Sequence, residues 1–150
     1  MTQVNFEVLG ERQVSQMLSR TTDKAKDLGP FWVMVGGLLT EIVQEQFNTE
    51  GSRTGGWAPL SDRYASDKVR QFGNQPILVA TGEMRESLLG GSGGIQRQQG
   101  NDQMVFGTSV PYAVYHQAGT QRMPQRRILD MTEADRRTMM KLLQRHLFAS

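Results

Sequence analysis

The stretch GGSGGIQRQQGNDQMVFGT, Gly90–Thr108, decides how the middle of this chain is read. Its first five residues have the composition of a mobile connector. They also suit the approach to a long hairpin, because Ile95–Arg97 and Met104–Thr108 are strand-like and Gly100-Asn101 is a plausible turn between them. Both readings stand at this point.

On the N-terminal side of it, ILVATGEMRESLL, residues 77–89, begins as an apolar run. It passes through Thr81, a good N-cap, into a short helix carrying Met84, Leu88 and Leu89. On the C-terminal side, Pro111–Ala118 reads as a short helix ended by Gly119, and Arg127–Met131 reads as a strand. Thr132-Glu133-Ala134-Asp135 then resembles a capping box, opening a last helix striped by Met139, Leu142, Leu143 and Leu147.

Farther out, Val4, Phe6 and Val8 alternate with Asn5 and Glu7, the period of a half-buried strand. From Glu11 to Leu28 the apolar positions Val14, Met17, Leu18, Ala25 and Leu28 follow helical spacing. Gly29 and Pro30 stop that helix and start another, which runs to Phe47 with Trp32, Val35, Leu39, Ile42, Val43 and Phe47 as its buried stripe. Gly36 and Gly37 lie inside it, where each costs about 1 kcal/mol relative to alanine. A closely crossing backbone or a local kink would account for them. Residues 48–57, NTEGSRTGGW, read as a flexible loop, and Ser61 caps a further short helix.

The sum is an α+β domain spanning residues 1–150: a small, mostly antiparallel sheet packed by two long helices and a C-terminal helix, with a hairpin or glycine-rich extension. Loops near 50–58 and 90–103 are expected to be mobile, since they are rich in glycine and poor in apolar anchors.

Composition narrows the function. A chain of 150 residues suits one domain, and 37% hydrophobic with 21% charged residues suits a folded one. The absence of cysteine excludes disulfides, thiolate metal sites and cysteine nucleophiles. The first residues lack the pattern of a signal peptide. The most apolar window, Phe31–Leu39, falls far short of the about 20 residues of a membrane span. A cytoplasmic origin and no membrane partner are therefore expected.

Net charge is +2, and most arginines are scattered. Before the final helix only Arg122, Arg126 and Arg127 cluster, in a loop that could hold phosphates or face a neighbouring subunit.

Signs of catalysis are weak. His116 and His146 stand thirty residues apart without a metal-binding spacing, and nothing in the spacing of Asp62, Asp67, Asp102 and Asp130 completes a site. No GxSxG elbow or GxxxxGK[ST] cradle occurs. No catalytic residue, metal or cofactor is expected. On a helix from Pro111, Tyr112, Tyr115 and His116 share a face, where the imidazole can pack its body while a ring nitrogen finds a backbone carbonyl. Tyrosine and arginine together in an exposed segment favour an interface. Trp57, Tyr112, Tyr115, His116, Arg122, Arg126 and Arg127 are thus the candidate interface residues, whereas Met17, Met84 and Met139 are read as core filling.

Three stretches in order carry a family resemblance: GGWAPLSDRYASDK (55–68), ILVATGEMRESL (77–88) and VPYAVYHQAGTQRMPQRRIL (110–129). Together with the C-terminal helix, the chain resembles the phage virion morphogenesis, or tail completion, family of Mu-like and related tailed phages. The family often has a second proline in the third stretch, where this chain has Arg127. The missing proline leaves a backbone N–H free to donate. The resemblance implies a non-enzymatic virion protein of the head–tail junction that forms rings with itself and touches other tail or connector proteins, with DNA passing nearby. A DNA-binding accessory module using Arg122–Arg127 is the alternative.

Overall fold

A computed structural model describes residues 11–149, and the strand expected at Val4–Val8 lies outside them. Among the described residues are six α-helices and one two-stranded antiparallel sheet, an α+β fold. In chain order they are α1 (Glu11–Lys26), α2 (Gly29–Asn48), α3 (Asp62–Phe72), α4 (Glu83–Leu88), β1 (Gly94–Gln99), β2 (Gln103–Thr108), α5 (Ala113–Ala118) and α6 (Glu133–Phe148).

The helix α2 is the axis of the molecule. Its inward stripe of Phe31, Val35, Leu39 and Ile42 packs against Met139, Leu142 and Leu143 of α6 and Met104 of β2. One turn on, Val43 and Phe47 join Val79, Met84, Leu88, Val110, Ala113 and Ile128 in a second cluster. Phe106 and Leu129 touch both clusters, so the core is continuous. The helices α2 and α6 are antiparallel: Arg53, just beyond the end of α2, reaches Asp135 at the start of α6. At the opposite end, His146 Nε2 lies 2.8 Å from the carbonyl of Asp27, just ahead of α2.

Residues 94–108 form a hairpin, with Gly94 opposite Thr108 and Gln99 opposite Gln103. The tip is tied down by Asn101. Its amide donates to Ala25 O and accepts from Leu28 N, and its carbonyl accepts from the Trp32 indole, so the hairpin clasps the α1–α2 junction. At the base, the backbone of Gly94 passes so close to Ser87 O that a Cβ would collide with it. Glycine here serves close approach.

Gly36 is explained by the same hairpin. The side chain of Gln96, rather than a backbone, lies where a Cβ would be. Gly37, one residue on, faces open space.

Three expectations need correction. Residues 127–131 are irregular rather than a strand, because side chains occupy their backbone groups: Gln117 takes Ile128 N, Leu129 N and Leu129 O, and Arg53 takes Asp130 O. A backbone saturated in this way has nothing left to offer a ladder. The second correction concerns Met17, which is 55% exposed on α1 alongside Leu18. The bonds that fix α1 sit at its C-terminal end, where Lys24 O faces His146 and the Lys24 ammonium donates to Ala149 O. The third is local. Gly82 takes the N-cap position of α4, and Thr81 only assists by accepting from Glu83 N.

Candidate interaction site

The three stretches that carry the family resemblance meet in one layer at the C-terminal end of α2. Gln46 lies on the apolar stripe of α2 and is fully buried, so its amide must find partners. It donates to Thr54 Oγ1 and to Arg127 O at 2.9 Å. The Trp57 indole donates to the same carbonyl at 2.8 Å while its ring stands edge-on to Phe47. Gly51 makes room for that ring: at φ 78° it lacks the Cβ that would lie 2.5 Å from the indole. Residues 52–54 form a short 3-10 turn within the expected loop.

Arg53 pairs with Asp135 at 2.6 Å. Asp135 also accepts from Thr132 N, and Asp135 N donates to the Thr132 hydroxyl, completing the capping box. Burial alone would raise the Asp135 carboxyl, but the Arg53 guanidinium and Thr132 outweigh it and hold the pKa below the usual carboxylate value.

Arg126 is buried at 5% exposure. Its guanidinium donates to Ala58 O at 2.7 Å and Pro59 O at 3.0 Å, and its backbone N–H donates to His116 O. Lys68, also buried, caps the carbonyls of Gln75 and Pro76. Burial lowers the Lys68 pKa, Glu50 opposes that, and Arg126 adds to it. Gln117 completes the layer by holding residues 128–129 through both ends of its amide.

His116 is half-buried, packed edge-on to Tyr112 at 6.3 Å. Its Nδ1 is buried without a partner, so the backbone carbonyl expected for a ring nitrogen is not found there. Burial, and then the Arg126 charge, push its pKa down.

The structure therefore divides the candidate residues. Trp57 and Arg126 point inward, and His116 is wedged beneath Tyr112. Arg127 is half exposed and pairs with Asp130 at 3.7 Å. Tyr112, Tyr115 and Arg122 face solvent, joined by Val114. Burial and the Glu83 carboxylate raise the Tyr112 pKa.

Gln46, Arg53, Lys68, Gln117 and Val114 do not stand out in the sequence reading. Gln46 left one signal, a polar residue at the i+4 position from Ile42 on an apolar stripe. Among the described residues no cluster of three His, Asp or Glu side chains could hold a metal, and no helix is long and apolar enough to cross a membrane.

A model of the phage virion morphogenesis family matches residues 9–148. The chain belongs to that family. No curated protein and no solved structure matches it. Family membership points to a structural role in assembling a phage particle, the kind of role generally filled without catalysis. The motifs now have a physical meaning: the first supplies Trp57, Ala58 and Pro59, and the third supplies the Arg127 carbonyl and the Arg126 guanidinium that hold them in place.

Proposed function

We propose that this chain is a structural protein of the head–tail junction of a tailed phage, completing or terminating the tail as one copy of a ring. Its membership of the phage virion morphogenesis family supports an assembly role. The observation that carries the finer reading is the outer face of α5. Tyr112, Val114 and Tyr115 are 41%, 59% and 54% exposed, although the backbone around them is tied down by Gln117 and Arg126. Aromatic side chains held on a rigid support lose little entropy on docking, which is why such groups anchor interfaces. Arg122, exposed in the following loop, adds a charged rim. The partner of this face is a neighbouring tail or connector protein, and DNA passing through the ring is a non-specific neighbour.

The rival use of residues 122–127 as a phosphate grip loses its main group, because Arg126 is buried against Ala58 and Pro59. Complementation of a phage lacking this protein tests the docking face. Tyr112→Ala/Tyr115→Ala should fold normally yet reduce the yield of joined particles at least tenfold. Wild-type yields from that variant would refute the assignment.

A further inference from the structure

The outward stripes of α2 and α6 match each other residue for residue. On α2 the buried positions Phe31, Val35, Leu39, Ile42 and Gln46 leave Val33, Gly37, Glu41 and Glu45 facing solvent. On α6 the packed positions Met139, Leu142 and Leu143 leave Arg137, Lys141, Gln144 and Phe148 outside. Because these two helices pack against each other through their inner stripes, the outer stripes lie on opposite sides of the pair.

We infer that the outer stripe of α2 in one copy docks on the outer stripe of α6 in the next, antiparallel, forming the head-to-tail contact of the ring. The inference rests on the ring reading above and supplies its surfaces.

Four observations carry it. The first is charge: Glu41 and Glu45 on one stripe oppose Arg137 and Lys141 on the other, and none of the four forms an ion pair among the described residues. The second is register. At about 1.5 Å rise per residue, Val33 to Glu41 and Glu45 spans about 12 and 18 Å, and Phe148 to Lys141 and Arg137 spans about 10 and 16 Å. Setting Val33 on Phe148 thus brings Glu41 to Lys141 and Glu45 to Arg137.

The third observation is apolar exposure. Val33 is 71% exposed, Phe148 61% and Met140, beside Lys141, 55%, so each stripe carries apolar surface among its charges. Phosphate binding has no use for such groups, which favours a protein partner over DNA. The fourth is Gly37. It weakens α2, yet a Cβ there would meet nothing in its own subunit. In this register Gly37 lies opposite Gln144, and its bare backbone lets the helices approach.

Direction also agrees. Within one copy α2 and α6 are antiparallel. A rotation about an axis along the helices preserves their directions, so α6 meets the next α2 antiparallel. Such heterologous contacts form a ring when the rotation closes.

The test uses full-length protein, with self-association read by analytical ultracentrifugation and copies per particle by quantitative mass spectrometry after complementation. Gly37→Leu, Glu41→Arg/Glu45→Arg and Arg137→Glu/Lys141→Glu should each stay folded, with self-association weakened roughly 100-fold and incorporation lost. Combining both reversals in one chain should restore both readouts. If the wild type oligomerises and the reversals leave it unchanged, this interface is wrong while the ring stands. A single copy of wild type per particle would sink the ring and this contact together. Loss of duplex DNA affinity in Arg137→Glu/Lys141→Glu with normal incorporation would also overturn the proposal.

Discussion

Arg126 is buried with its guanidinium on the carbonyls of Ala58 and Pro59. A guanidinium suits phosphates, carboxylates and backbone carbonyls alike, and nothing in MPQRR says which it will meet. Its partners, Ala58 and Pro59, come from a segment some seventy residues earlier, and that pairing exists only in the folded chain. Arg126→Ala leaves two carbonyls without donors. It should lower unfolding free energy by about 2–3 kcal/mol in urea titrations. Tyr115→Ala, at an exposed site, should change it by less than about 0.5 kcal/mol.

His116 gives a pH signature. Burial and the Arg126 charge hold its folded pKa below the ordinary value of about 6.5, so the folded chain binds this proton less readily than the unfolded chain. The stability tied to His116 is therefore intact above that ordinary value and is lost as pH falls below it toward the folded pKa. Melting temperature should drop between pH 7.5 and 5.5, and His116→Gln should flatten the profile across that window. Asp135, whose folded pKa is also depressed, loses its contribution only at far lower pH, below the usual carboxylate range near 4.

At the level of elements, most of what local chemistry specifies was legible, the cap of α4 one residue past Thr81 excepted, and what distant partners specify was not. The N-cap Ser61, the Thr132 capping box and the turn at Gly100-Asn101 depend on residues within a few positions of one another, and all three form. The segment 127–131 reads as a strand, but Gln117, Arg53, Gln46 and Trp57 claim its backbone first. The stripe of α1 has helical spacing, yet spacing alone cannot say whether anything covers it, and Met17 and Leu18 stand exposed.

Glycines separate in the same way. Gly37→Ala meets no atom and removes a helix penalty, so it should stabilise the monomer by up to about 1 kcal/mol. Gly51→Ala adds a strained φ and a collision with the Trp57 ring. It should cost about 2–3 kcal/mol and release the indole, seen as a shift in tryptophan emission.

For the whole molecule, family and class could be read from three motifs in order, and the first and third of them hold residues that lock one layer together. Which surfaces remain for partners could not, since the same tyrosines and arginines serve inside and outside. The folded chain directs Trp57 and Arg126 inward and leaves α5 and the outer stripes of α2 and α6 facing away. That division suits the proposed assembly role, which calls for a rigid interior and separate outward faces.

The most direct test is electron microscopy of particles produced when the host carries phage lacking this protein. Filled heads lying beside separate, unjoined tails are the predicted outcome, rescued by the wild-type chain. Complete infectious virions, or heads empty of DNA with normally attached tails, would contradict the account.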